Sequence, residues 1–310
     1  MHRTQPQGIM FHHFHGAGHP ATQGSISAEQ LADLIGFLGR ERILPADEWL
    51  ARAGRGQLGD GDLCLTFDDS LRCQYDIARP VLAELGLTAF WFVYTSVLEG
   101  RVERLELYRR FRTVGFASLE AFYTAFFEAV GRSGHGPQVE RALHGFAPAT
   151  YLAQYPFYIT ADRQFRYVRD EVLGPQQYHA VMEEMIASRG LDVQELTRNL
   201  WIDDDCVRQL HADGHVIGLH SHTHPTRMAE LSPEAQEQEY HANFAHLERV
   251  LSVAPTAMSH PCDSYSEQTL DIVRRLGIVL GFRSNLSRPR TCELDYPRED
   301  HANLLAEMRV

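Results

Sequence analysis

Short apolar runs bounded by turn residues alternate with segments of helical period at both ends of the chain, and this alternation restricts what it can fold into. Residues 8–14, 63–67 and 88–93 read as strands, the second preceded by the turn dipeptide Asp60-Gly61. Between the first two, Ser27 and Gln30 have capping-box spacing ahead of an apolar face of Leu31, Leu34, Ile35 and Leu38. Another helix runs to about Leu85 and stops at Gly86. The rhythm returns with strands at 215–219, 256–259 and 278–282. They are separated by a helix opened by Ser232-Pro233, with Leu231 placed as a staple, and by one over 266–276 ended by Gly277. Such alternation requires a parallel sheet covered by helices. The expected fold class is therefore α/β, an incomplete or distorted (β/α) barrel.

Between about residues 98 and 201 the rhythm breaks. The stretch is helix-rich and aromatic, with Tyr108, Phe111, Phe116, Phe122, Tyr123, Phe126 and Phe127, and it is too long for a bare loop. The expected organisation is a barrel from residues 1–97 and 202–310, interrupted by a helical insertion over 98–201 that serves as a lid or an interaction subdomain.

A formal net charge of −12 argues against a nucleic-acid partner, which needs a basic footprint. No run approaches the ~18 consecutive apolar residues of a transmembrane segment, and the N-terminus has no apolar core of a secretory signal. The five cysteines are scattered and never form a C-x-x-C pair, which fits reduced thiols in a cytoplasmic protein.

Two motifs carry chemistry. Thr66-Phe67-Asp68-Asp69-Ser70 ends a strand with adjacent carboxylates, a pattern that by itself reads equally well as a helix cap. Gly218-Leu219-His220-Ser221-His222-Thr223-His224-Pro225 holds three histidines in five residues, with His220 and His224 in H-x₃-H spacing. Neighbouring imidazolium cations repel unless a cation-binding role organises them. Two histidines and one aspartate suit a single divalent cation: Zn²⁺ first, with Co²⁺, Ni²⁺ and Mn²⁺ also compatible. Coordination brings the pKa of water towards ~7, and a neighbouring carboxylate takes its proton. At the end of the first strand, alternation puts His13 and His15 on one face and His12 on the other, with His13 ranked first as a substrate or supporting residue.

With these residues the sequence resembles the polysaccharide deacetylases, which include chitin and peptidoglycan deacetylases. The resemblance rests on Thr66-Phe67-Asp68-Asp69, on Gly214-His215-Val216-Ile217-Gly218 leading into His220 and His224, and on Ser259-His260-Pro261-Cys262-Asp263-Ser264-Tyr265. It covers about residues 8–96 and 202–303. It implies a metal at the carboxyl ends of the strands, with Asp69, His220 and His224 as ligands and Asp68 as general base. Backbone N–H groups near Cys262 would help hold the oxyanion. The sequence departs from the family pattern at Ser70, where glycine is usual, and at His260, where many members have an arginine that orients the base; here His260 is expected to take that part. The family's late Leu-x-His motif, which supplies the general acid, has its nearest match at residues 297–303. There His301 would protonate the leaving amine and Arg298 would bind substrate.

The function implied is metal-dependent hydrolysis of an N-acetyl group, a linear C–N amide, from a sugar substrate. The sugar expected is a nucleotide- or lipid-linked precursor or an oligosaccharide of a surface glycan. Two alternatives stand beside it: a related amidohydrolase for another N-acyl group such as N-formyl, and an inactive metal-binding relative acting through its insertion. Asp68 argues against the second, because a silent relative has no need of a base.

Overall fold

Among the described residues, seven short strands carry the architecture: β1 Gln7–Phe11, β2 Leu63–Phe67, β3 Phe90–Val93, β4 Val216–Leu219, β5 Ala257–Ser259, β6 Leu280–Phe282 and β7 Arg298–Asp300. The computed structural model describes residues 5–16, 18–153 and 158–308. All strand pairs are parallel, in the order β6-β5-β4-β3-β2-β1-β7. The two edges nearly meet. Phe282 bridges Tyr296 in parallel, Arg283 N–H donates to Tyr296 O at 3.0 Å, and Tyr296 N–H donates to Gly281 O at 2.9 Å. The result is a nearly closed (β/α) barrel with helices outside, as the alternation of elements requires.

Alternation along each strand divides its residues between two cores. Ile9, Phe11, Leu63, Leu65, Phe67, Trp91, Val93, Ile217 and Leu219 pack with helical residues such as Leu31, Leu34, Leu82, Val207, Leu210, Tyr240 and Leu247. Cys64, Phe90, Phe92, Ala257, Leu280 and Phe282 form a second cluster with Trp49 and Tyr296 that fills the barrel. The helix over Ala28–Leu38 has the expected capping box: Ser27 Oγ accepts from Gln30 N–H at 3.2 Å, and Gln30 Oε1 from Ser27 N–H at 2.9 Å.

Two differences from the sequence reading concern the strands. β1 ends at Phe11, and beyond it Phe14 makes an isolated bridge to Ile26. β7 carries the polar run Arg-Glu-Asp, which alternation of apolar residues cannot reveal. It is a strand because β1 offers it a ladder, with Gly8 opposite Arg298 and Met10 opposite Asp300. A Cβ at Gly8 would lie 3.0 Å from Arg298 Cγ, so the missing side chain makes room for that arginine.

The chain divides into two compact units, residues 1–103 with 199–310, and residues 104–198. The second is helical, with Arg104–Val114, Leu119–Arg132, Gly136–His144, Thr160–Tyr167, Gly174–Ser188 and Val193–Thr197. It has its own core of Phe111, Phe122, Phe126, Phe165, Val181 and Met182. No helix among the described residues is long and apolar enough to cross a membrane.

Gly218 sets the approach of β4 to its neighbours. A Cβ there would sit 2.6 Å from Ala257 O and 2.8 Å from the Phe92 ring. Gly218→Ala is expected to lose about 1–3 kcal/mol, the usual cost of overpacking. Chemical denaturation reads this, and an unchanged midpoint would mean that the strand spacing is not fixed here.

Candidate metal centre

Alternation continued past the strand ends brings the polar residues together. On β2, Cys64 and Thr66 face inward, and Asp68 follows with the same parity. On β4 and β5, Gly218 leads to His220, and Ala257 to Ser259. On β7, Arg298 points inward. Asp69, His220 and His224 are buried, and each offers a ligand atom within 4.8 Å of the others. Both His220 Nε2 and His224 Nε2 lie 3.3 Å from Asp69 Oδ1.

Several local features hold this geometry. Asp69, Ser70, Ser221 and His224 all have φ between 56° and 76°, left-handed conformations that fold the two turns back over the barrel mouth. Ser70 stabilises its turn through its hydroxyl, which donates to Tyr94 O at 3.2 Å and accepts from Tyr94 N–H at 3.1 Å. Asn243 joins two strand ends: its Oδ1 accepts from His220 N–H at 3.0 Å and its Nδ2 donates to Val93 O at 2.9 Å. His220 Nδ1 lies 3.0 Å from Ser259 O, so it carries the proton and Nε2 presents its lone pair to the centre.

The electrostatics favour a cation. Burial would raise the Asp69 carboxyl, but His224, His220 and His12 hold it well below the usual range. Burial would lower His220, yet Asp68 and Asp69 raise it. Two buried carboxylates at the strand ends thus bias the site towards positive charge. A deprotonated carboxylate and two imidazole lone pairs converging on one point are a fitting donor set for a divalent cation.

Asp68 is held by Arg298. Nη1 donates to Oδ1 at 2.7 Å and Nη2 to Oδ2 at 2.8 Å, while Ser259 Oγ donates to Oδ1 at 3.2 Å. Burial would raise this carboxyl as well, but Arg298 and His220 outweigh it and the net shift is downward. Gln74 fixes the backbone beneath, donating through Nε2 to Asp68 O at 2.6 Å and His12 O at 2.8 Å.

These placements correct four sequence expectations. Arg298, expected on substrate, holds Asp68, because β7 is a strand whose inward residue reaches β2. His260, expected to orient the base, points elsewhere: its Nε2 is 2.8 Å from Leu294 O and its ring stacks on Tyr265 at 3.9 Å. Burial pushes it down to about 4, so it is neutral. His301, expected as general acid, lies behind β1, stacked on Phe11, with Nδ1 3.2 Å from Met10 O and Nε2 2.9 Å from Gly24 O. His12, ranked below His13, is the N-terminal histidine at the centre. Its Nε2 lies 4.0 Å from Asp68 Oδ2 and 3.9 Å from Asp69 Oδ2, with 27% of the side chain exposed. His13 is buried, and its carbonyl accepts from Ile26 N–H at 3.1 Å.

The remaining motif residues have simpler parts. His215 Nδ1 accepts from Ala89 N–H at 3.0 Å, and burial pushes that ring down to about 4, which keeps the lone pair available. His222 bonds Thr95 Oγ1 at 2.9 Å rather than joining the centre. Cys262 is exposed on the turn Pro261–Asp263 that follows His260. Ser259 was legible only as a motif residue, and its hydroxyl turns out to link Asp68 to His220, with Nδ1 at 2.7 Å.

Comparison with known proteins points the same way as the motifs. A family model described as polysaccharide deacetylase matches residues 178–281, a third of the chain. The Streptococcus pyogenes deacetylase PplD, solved in complex with acetate, aligns over 99% of both chains at 16% identity with a TM-score of 0.55. IcaB from Ammonifex degensii is 15% identical over 95% of this chain and 87% of its own, with a TM-score of 0.51. A de-N-acetylase from Aggregatibacter actinomycetemcomitans is 12% identical over 96% of this chain and 93% of its own, with a TM-score of 0.54. At these identities the likeness is one of fold. No curated protein matches the sequence. The family read from the motifs is the one whose model matches residues 178–281.

The ion pair gives a test of the site's electrostatics. Arg298→Met should cost about 3–5 kcal/mol at neutral pH, because it leaves a buried carboxylate without its partner. In the wild type the depressed Asp68 pKa contributes stability above the unfolded pKa, and this is lost as pH falls through the folded value. In the variant, burial pushes the folded pKa up, so the deficit should shrink as pH falls and Asp68 protonates. Denaturation at several pH values measures this, and a deficit independent of pH would contradict it.

Proposed function

We propose that this relative of the polysaccharide deacetylases is a metal-dependent hydrolase that removes an N-acetyl group from a sugar. The observation that carries the reading is a second carboxylate, Asp68, held by a bidentate arginine beside the three candidate ligands. Asp69, His220 and His224 would hold the cation, with Zn²⁺ the first choice for an Asp/His/His set. When bound, it supplies Lewis acidity to the acetyl carbonyl and to the attacking water.

The chain's own residues account for the rest. A carboxylate has about four lone-pair sites. Arg298 and Ser259 take both on Oδ1, and Arg298 takes one on Oδ2. The other Oδ2 site, on the side of His12, is where Asp68 takes the proton from water. His12 is the preferred candidate to return a proton to the leaving amine: its ring faces both carboxylates and is open enough to exchange with solvent. Backbone groups of the turn at Cys262 are candidates for oxyanion contacts.

Acetyl is the preferred acyl group because PplD was solved with acetate and the Aggregatibacter protein is a de-N-acetylase. The preferred substrate is a nucleotide- or lipid-linked N-acetyl sugar or an oligosaccharide of a surface glycan. No disulfide joins the five cysteines, which supports a cytoplasmic setting.

Purified protein loaded with Zn²⁺ is expected to release acetate from at least one member of a panel of nucleotide-linked, oligomeric and polymeric N-acetyl sugars. His220→Ala should lose tight metal occupancy and activity together. His12→Ala should keep its metal and lose about 10²-fold in kcat, the usual scale for general acid catalysis. Formate release, or equal metal occupancy in the His220 variant, would overturn the corresponding part of the reading.

A further inference from the structure

Two arginines in the helical unit have buried guanidinium nitrogens that reach no carboxylate. Arg112, on helix Arg104–Val114, is only 7% exposed, and Arg166 lies on helix Thr160–Tyr167. The Nε atoms of both are buried without a hydrogen-bond acceptor. Among the described residues, neither guanidinium forms an ion pair. The carboxylates nearby are engaged: Glu106 faces Arg109 at 3.4 Å, and Asp170 binds Arg169 through two bonds of 2.6 and 2.8 Å. Asp162 accepts from the Tyr123 hydroxyl, and from Ile159 N–H at 3.1 Å. Arg166 rests on the Tyr158 ring, 4.0 Å from its centroid.

Such a cluster is unfavourable as it stands. Burial, with the Arg109 and Arg166 cations, holds Arg112 below its usual range. Burial, with Arg169 and Arg109, does the same to Arg166 and outweighs the pull of Asp162. Leucine or methionine at these positions would pack the unit without the desolvation cost of two unpaired cations. Tyr178, buried in the same region, stays protonated because burial pushes its phenol up to about 12, so its hydroxyl can donate.

We propose that the helical unit binds a phosphoryl dianion between Arg112 and Arg166, either as inorganic phosphate or as the phosphate group of a sugar phosphate. Guanidinium forks match phosphate oxygens in pairs, and a dianion balances two cations where a carboxylate would leave one uncompensated. The site is separate from the deacetylase reading, and its failure would leave the barrel chemistry untouched.

Isothermal titration of the full chain with inorganic phosphate and with N-acetylglucosamine 1-phosphate tests it. One equivalent of at least one of the two probes should bind, and Arg112→Gln and Arg166→Gln should each weaken binding at least ~10-fold, the loss of one charge-assisted contact. Both variants should keep their helical circular dichroism. Arg112→Lys, which retains charge but not the fork, stands in if the glutamine variant does not fold, and it should also bind more weakly. Binding of both probes shows that the phosphoryl group is what the site reads, and binding of the sugar phosphate alone identifies the sugar phosphate as the source. No binding of either probe by the wild type, or undiminished binding in the variants, would overturn the proposal.

Discussion

The ion pair between Arg298 and Asp68 is the constraint on which the centre depends. It spans the inside of the barrel from β7 to β2, and both side chains are almost completely buried. Forming it requires β7 to dock on β1, which Gly8 permits, and Thr66 supports it, with a hydroxyl that accepts from Arg298 Nη1 at 3.3 Å and donates to Ile9 O at 3.0 Å. A buried ion pair adds little net stability compared with apolar residues of the same volume. What this one supplies is position. It fixes the plane of the Asp68 carboxylate, keeps it ionised, and leaves a single acceptor site on Oδ2, on the side of His12.

Backbone strain is concentrated around the same carboxylate. Asp69, Ser70, Ser221, His224, Cys262 and Asp263 all sit at positive φ without being glycine. Each such residue costs on the order of 1–3 kcal/mol and persists only where surrounding contacts over-determine it. Here those contacts are visible: the Ser70 hydroxyl on Tyr94, the Ser221 hydroxyl accepting from His224 N–H at 3.1 Å, and Asp263 accepting from Ser284 N–H at 3.0 Å. The bends after β2 and β4 let Asp69, His220 and His224 present their side chains to one point.

Much of this was legible in the sequence. The helix–strand alternation fixed the fold class, and the Asp-Asp and H-x₃-H motifs named the residues that converge. The illegible part has a physical explanation. β7 is three polar residues long, and nothing in its composition marks it as a barrel strand; only pairing with β1 does, so Arg298 could not be assigned to Asp68. His260 stands where the motif resemblance led to an orienting residue, but Asp68 is held from a different strand, by Arg298. The choice between His12 and His13 depended on where β1 ends. Counting from Gly8, which faces Arg298, gives Met10 and then His12 the inward parity. The paired spacing of Arg109 and Arg112, and of Arg166 and Arg169, was visible but carries no signal until the fold shows which of them find partners.

Asp68→Asn tests the central claim most directly, because it preserves shape while removing the base, together with the charge that pairs Arg298. Metal content and acetate-release kinetics should be measured on the same preparation. The account predicts occupancy near that of the wild type with kcat lowered at least ~10²-fold, about 2.7 kcal/mol of transition-state stabilisation. An Asn variant that keeps most of its activity would place the base elsewhere, and one that loses its metal would make Asp68 a ligand; either result would contradict the account.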